Sequence, residues 1–342
     1  MSRLNTAIQT SHTLSLAAME EASRTGERTA DLEHLLLALV LSEQDAGGVL
    51  RSLGLTLEAT RQAIAAQHAE QLAALGIESA PQTGQRIVFH ETGGYEWSER
   101  ASALLSSASG RGKRGDASAV LRELLAEPSG LIAAVLGRLD TTPQAITARL
   151  DELDALTTDS PPATIATGGL SRTATAFVPA DPAAVWELLS EPTSVPAWDQ
   201  SVGSVASPAP ATDGAGAPGP NDWALDPSPF SARARTVRDD GRAIRVTPDL
   251  VAMRITRPRC EPRELVEWRF EYPDSPGANA KLVRFVLEPA AGGTQLRTSL
   301  AWERQATAPR RTLRGYLLRP LVRVAMWLQV SQLNAAVSRA FR

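Results

Sequence analysis

The sequence is poor in the residues that usually carry chemistry. It holds one cysteine, Cys260, so no disulfide can form within the chain and no cysteine-rich metal site exists. A lone thiol suits the cytoplasm, which is the expected location. Histidine is nearly as scarce: His12, His34, His68 and His90 all lie in the N-terminal part. The C-terminal part therefore lacks an imidazole for acid–base work. No His, Cys and carboxylate cluster has metal-ligand spacing, so neither a metal nor a cofactor is expected. Lysine is limited to Lys113 and Lys281 among many arginines, a bias put down to genome composition and given no function.

Other absences exclude whole classes. There is no G-x-S-x-G nucleophile elbow and no G-x-x-x-x-G-K-[ST] phosphate loop. "GRGKRG" from Gly110 has the wrong spacing for the latter and reads as a basic surface loop. A net charge of −3 gives no electrostatic case for nucleic acid. No apolar run reaches the length of a membrane span; the nearest, Val324 to Val330, is far too short. Polar residues break every apolar run near the N-terminus, so no leader peptide is expected.

What the chain does have is apolar bulk, with 43% hydrophobic and 21% charged residues over 342, enough for about two domains. Residues 1–153 are rich in Ala and Leu at helical spacing and read as all helix, with Gly47-Gly48, Gly54, Gly93-Gly94 and Gly130 as punctuation. Residues 154–170, with Pro161-Pro162 and Gly168-Gly169, read as a linker. Residues 171–342 change character. "RTATAFVPA" alternates, "PAAVWELLSE" is a short helix, and "RAIRVT", "ELVEWRFEY", "KLVRFVLEP" and "TQLRTSLAWE" read as strands. A long helix from about Thr312 to Phe341 closes the chain, with a kink expected at Pro320. Residues 207–222, dense in Pro, Gly and Ala, are expected to be a disordered insertion.

Part of the helical half repeats. With Glu33 set against Ser118, Leu36 falls on Leu121 and Leu39 on Leu124; after one inserted residue Val49-Leu50 falls on Val135-Leu136. The apolar skeleton is kept and the polar residues change, as in a duplicated unit with a shared core. The stretch "TADLEHLLLALVLSEQDAGGVLRSLG" resembles the Clp N-terminal repeat domain over residues 1–153. That resemblance implies docking of adaptors or peptides, here a Clp protease component or a client. In some relatives the glutamate of each repeat helps to bind phosphorylated arginine. Glu33 is the matching residue; the second copy has Ser118-Ala119 instead.

The second half resembles the START-like superfamily, which includes the polyketide cyclases and other helix-grip ligand binders. "FVPADPAAVWELLSEPTSVPAWDQSV" and "VRFVLEPAAGGTQLRTSLAWE" carry the likeness. It implies an α+β domain in which a curved antiparallel sheet wraps a long C-terminal helix around a small hydrophobic or amphipathic ligand. Alternation puts Val266, Trp268, Phe270 and Tyr272 on one face of a strand and Glu267, Arg269 and Glu271 on the other. Val283, Phe285 and Leu287 share a face, as do Leu296, Thr298, Leu300 and Trp302, and Leu317, Leu321, Val324 and Leu328 fall at helical spacing. The expected cavity residues are Val266, Trp268, Phe270, Tyr272, Phe285, Leu296, Leu300, Trp302, Leu321, Val324 and Leu328. Plain core packing is the competing account of each.

The expectation is a non-catalytic two-module binding protein with no catalytic residue assigned. The alternatives are a polyketide cyclase-like enzyme using Tyr272, Glu271 or an arginine, and a Clp adaptor without a small ligand. Arg269, Arg284 and Arg297 are weighed as anchors for an anionic group, with solvation preferred. Asp199 is read as a helix-end or loop hydrogen-bonding residue, and His34 as a cap. The arginine-rich tail from Arg304 reads as the solvated face of a core helix, so contact with a membrane surface is not expected.

Overall fold

Asp31 opens the most deeply buried helix of the N-terminal half. In the computed structural model, which describes residues 3–77, 87, 89, 94–110, 112–156, 170–206, 229–238, 241–303 and 319–342, the chain forms two units, Met1–Ala163 and Thr164–Phe341. The unit boundary and the expected insertion at 207–222 fall outside the described residues, as does the expected linker from residue 157 to residue 169.

In the first unit α1 (Arg3–Arg24) precedes α2 (Leu32–Val40), all of whose residues are buried. The Asp31 carboxylate accepts from the Leu32 N–H at 2.8 Å, and the Asp31 N–H donates to His34 Nδ1 at 3.1 Å, a reciprocal capping box that places His34 in the role expected of it. Burial would raise the Asp31 carboxyl, but hydrogen bonds from Arg100 and Ser98 outweigh it and hold the group below the usual carboxylate range. Helix α3 (Asp45–Ser52) returns Arg51 to the other end of α2, where its guanidinium donates to Val40 O at 2.5 Å and Ser42 O at 2.8 Å. Carbonyls left over at a helix end are satisfied in this way. Burial lowers the Arg51 pKa to about 10, partly offset by Glu43.

After α4 (Leu57–Ala74) and α5 (Glu99–Ala108) come α6 (Ala117–Leu125), α7 (Leu131–Gly137) and α8 (Pro143–Leu156). Asp116 caps α6 as Asp31 caps α2, and Leu36, Leu39, Leu121 and Leu124 are all fully buried. Two details depart from an all-helical reading: Thr29–Ala30 (β1) pairs in parallel with Glu96–Trp97 (β2), and α8 runs past residue 153 to Leu156.

Gly47 and Gly48 do not interrupt a helix as expected; both lie inside α3. A Cβ on Gly47 would lie 2.0 Å from Ser42 O and 2.9 Å from Leu39 O, so the glycine is there for close approach of two backbones. Gly48 has nothing within 4 Å. Opposite outcomes follow from adjacent glycines. Gly47→Ala is expected to cost about 2 kcal/mol through overpacking, and Gly48→Ala to stabilise by about 0.5–1 kcal/mol through helix propensity. Thermal melts of the two variants check the signs.

In the second unit seven strands form one antiparallel sheet in the order β3-β9-β8-β7-β6-β5-β4. They are β3 (Leu170–Val178), β4 (Val202–Val205), β5 (Phe230–Ala234), β6 (Ala252–Glu261), β7 (Leu265–Glu271), β8 (Ala280–Ala290) and β9 (Gly293–Glu303). Between β3 and β4 run α9 (Pro182–Ser190) and α10 (Val195–Trp198), and α11 (Arg319–Arg339) packs across β3 and β9. Asp181 caps α9 with Pro182 at its first position. Its last carbonyls take donors from the sheet: Trp268 Nε1 reaches Leu189 O at 2.8 Å and Arg257 Nη1 reaches Ser190 O at 2.5 Å. The helical first unit, the seven-stranded antiparallel sheet and its C-terminal helix agree with the helix-grip expectation.

Two readings need correction. "RAIRVT" is no strand: its described pairing is an isolated bridge from Val237 to Ala243, flanked by the Arg238 N–H donating to Arg242 O and the Ile244 N–H donating to Thr236 O, and Ile244 and Val246 are half-buried. Strand β6 was not anticipated because Pro258 and three arginines interrupt its pattern; the structure absorbs Pro258 in a register shift between Thr256 and Arg259. Pro320 is the second described residue of α11, and the expected helix start and kink fall on residues 312–318, which lie outside the described residues.

Candidate functional site

The inner face of the sheet is filled by its own side chains. Trp198, Trp268, Phe270 and Phe285 are fully buried, and Trp198 meets Phe285 edge-on with ring centroids 5.2 Å apart. Val266 and Leu296 belong to the same packed cluster, and Tyr272 and Trp302 pack partly buried against it. Of the residues assigned to an apolar cavity, Leu300 alone lines the pocket described below. Val324 and Leu328 are corrections: they are 56% and 39% exposed, whereas Met326, Val330, Leu333 and Val337 are the residues of α11 that pack inward. Both stripes have helical spacing, and two residues of offset turn a side chain to the opposite side of a helix. Nothing is described of the Leu321 side chain.

The pocket, about 80 Å³, opens between α11, the end of α10 and the strands β8 and β9. Trp198, Leu300 and Leu333 supply its apolar wall. Gln200, Ser201, Gln329 and Gln332 lie at its exposed rim. Asp199 and Lys281 complete the lining, and they are 3% and 5% exposed.

These two form a buried ion pair. Lys281 Nζ donates to Asp199 Oδ2 at 2.5 Å and to Ser201 Oγ at 3.1 Å, and it sits 4.2 Å from the centre of the Phe270 ring. Asp199 Oδ1 accepts from the Ser201 N–H at 3.0 Å and from its hydroxyl at 2.6 Å. The chain folds this way locally because Asp199 ends α10, so its carboxylate turns back onto Ser201, two residues along. That loop role was expected; the ion pair was not. Burial alone would raise the Asp199 carboxyl, but the Lys281 charge and the hydrogen bonds from Lys281 and Ser201 outweigh it and hold the group below the ordinary carboxylate range. Burial, with the Asp199 charge second, pushes the Tyr272 hydroxyl up.

Lys281 was legible in principle. Its β8 neighbours Val283, Phe285 and Leu287 face inward, and a step of two back from Val283 is Lys281. The register sets it between Phe270 on β7 and Trp302 on β9.

The arginines weighed as anion anchors are paired elsewhere. Arg269 bonds Glu271 at 2.6 Å and Glu303 at 3.0 Å, Arg284 bonds Glu267 at 2.5 Å, and Arg297 lies 3.7 Å from Glu288. In the first unit Glu33 is 8% exposed; its Oε1 lies 3.8 Å from His68 Nε2, and its Oε2 has no hydrogen-bond partner. Among the described residues no cluster of His, Cys, Asp and Glu could hold a metal ion, and no helix is long and apolar enough to cross a membrane.

Residues 170–337 match the family described as polyketide cyclase / dehydrase and lipid transport. The match spans the whole sheet and most of α11, and it supports a START-like C-terminal domain. It lies wholly outside the helical first unit. Three solved structures are similar to about half of the chain. A START superfamily protein from Mycobacterium smegmatis is 14% identical, with 50% of this chain and 95% of that one covered and a TM-score of 0.32. A protein from Thermus thermophilus is 19% identical, with 49% and 94% covered and a TM-score of 0.31. A protein of unknown function from Staphylococcus aureus is 10% identical, with 50% and 94% covered and a TM-score of 0.33. At such identities and TM-scores these likenesses assign no residue a role. No curated protein matches the chain.

Proposed function

We propose that this chain is a non-catalytic, two-module binding protein. Its START-like domain takes a small amphipathic ligand, and its helical unit docks a protein or peptide partner in the cytoplasm. The observation that carries the first part is the pocket beside α11, with an apolar wall of Trp198, Leu300 and Leu333 and a polar side at Asp199, Lys281 and Ser201. Ligand sites commonly combine such a wall with a few placed polar groups. The small apolar cavity first expected within the sheet is replaced in this reading by a pocket between β8, β9 and α11.

Binding is preferred to catalysis because of Asp199. A general acid or base at neutral pH needs a carboxyl whose pKa is raised toward that range. Asp199 is held low by its cation. The second reading, a polyketide cyclase-like enzyme, rests on Tyr272, whose half-buried hydroxyl stays protonated.

For the helical unit, the caps on α2 and α6 and the matched buried leucines support a duplicated repeat of the Clp N-terminal type. Glu33, with one carboxyl oxygen unsatisfied, is the partner-binding candidate, suited to a cationic group on a client or a Clp protease component.

Native mass spectrometry of the protein purified from its own host tests both parts. The expected result is a stoichiometric small molecule that is lost in Leu333→Arg. A protein free of small molecules that carries a Clp component or client instead would replace this reading with the adaptor.

A further inference from the structure

A solvated outer face was expected for the helix that closes the START-like domain. Part of that face is apolar instead. Val324 and Leu328 are 56% and 39% exposed, and Ala325 beside them is exposed as well. Residues four apart stand one above the other on a helix. The next step of four is Gln332, an exposed residue of the pocket rim. The row of Val324, Leu328 and Gln332 therefore runs from a bare apolar strip to the mouth of the pocket. Core packing does not account for the strip, because Met326, Val330, Leu333 and Val337 hold the inward side of α11.

The second observation is charge. From Arg304 to Arg339 the sequence has seven arginines and no acidic residue, although the net charge of the chain is −3. The elements that pack most against α11 are β3, β9 and α10. Strand β3 carries no acid. The carboxylates of Glu303, at the end of β9, and Asp199, capping α10, are taken by Arg269 and Lys281. Single apolar residues on a surface need no explanation. A pair one turn apart, in a segment of one charge sign, calls for a partner that suits both features. A second copy of this face would set one arginine-rich segment against another. A nucleic acid would take the arginines and leave the apolar row in water. An anionic lipid surface suits both, since its headgroups attract arginine and its interface accepts Val and Leu side chains.

We infer that the outer face of α11 docks on an anionic membrane surface, with Val324 and Leu328 entering the interface and the arginine-rich segment drawn to the headgroups. The contact is shallow and reversible, because two side chains bury little apolar area. It sets the pocket mouth against the lipid layer. The docking goes beyond the reading of the pocket as a ligand site and does not depend on it.

The test is flotation of the full-length protein with two kinds of vesicle, phosphatidylcholine alone and phosphatidylcholine with about 30% phosphatidylglycerol. The wild type is expected to bind the anionic vesicles about tenfold or more tightly than the neutral ones. Raising the salt from about 0.1 M to about 1 M shortens the screening length from ~10 Å to ~3 Å and is expected to release it. Val324→Gln with Leu328→Gln is expected to weaken binding by about fivefold or more. The melting temperature should not change, since both side chains are exposed. No binding to the anionic vesicles overturns the inference, and so does equal binding to the two kinds. A double variant that binds as tightly as the wild type also overturns it, because the arginines alone then account for the attraction. Sedimentation of the lipid-free protein covers the competing partner. A dimer that the double variant dissolves, with no vesicle binding by the wild type, gives the apolar row to a second copy of the chain and overturns the membrane assignment.

Discussion

Replacing Lys281 with methionine lowers the stability of the START-like domain by about 3–5 kcal/mol, the usual consequence of leaving one member of a buried pair without the other. Asp199 would keep its two bonds from Ser201 but lose the cation that holds it ionised in a site 3% exposed. The double replacement Asp199→Asn with Lys281→Met is expected to recover most of the loss, because neither remaining group carries an uncompensated charge. A calorimetric double-mutant cycle measures this. A double variant as unstable as Lys281→Met would mean that lysine packing over Phe270, rather than its charge, matters. The pair also sets a pH dependence. The folded pKa of Asp199 lies below the unfolded value of about 3.9, so its contribution is complete at neutral pH. It is lost as the pH falls through the folded pKa, at the acid end of the range. The double variant should lack that part of the acid sensitivity.

The same pair shows where the sequence was legible and where it was not. Strands β7, β8 and β9 were readable because their inner faces are unbroken rows such as Val266, Trp268 and Phe270, and period two is a strong signal. Strand β6 was not, because Arg257 takes an inward position that an apolar residue usually holds: it is 8% exposed, donates to Ser190 O and stands over the Trp268 ring at 5.7 Å. A buried arginine becomes intelligible only when the carbonyl it caps, more than sixty residues away, is known. Lys281 failed differently. The alternation that placed Val283 and Phe285 inward extends to it, but a lysine on an apolar face is discounted unless a carboxylate is known to meet it. Asp199 lies 82 positions away in the chain. On α11 the difficulty was degeneracy. Apolar residues occupy much of the circumference, so spacing alone did not separate the inward stripe through Met326 and Val330 from the exposed one through Val324 and Leu328.

Trp268→Ala is expected to cost about 3–5 kcal/mol, whether or not a ligand is present, and this result decides between the two accounts of the aromatic face. Trp268 is fully buried, lies 6.4 Å from Trp198 and from Phe230 between ring centroids, and anchors α9 through Leu189 O. Truncation would remove the ring from the packed cluster and leave the Leu189 carbonyl and the Arg257 guanidinium without their neighbour. Trp268→Phe keeps most of the volume and loses the N–H, so it should cost less, about 1–3 kcal/mol for the buried carbonyl left without its donor. A residue that only lined a ligand cavity would behave otherwise: the ligand-free variant would melt near the wild-type temperature, and the loss would appear only in binding. Melting curves with and without the extracted ligand separate the cases. An equal drop in both assigns the inner face of the sheet to the core, and it leaves the pocket of Asp199, Lys281 and Trp198 beside α11 as the place where a ligand contacts this domain.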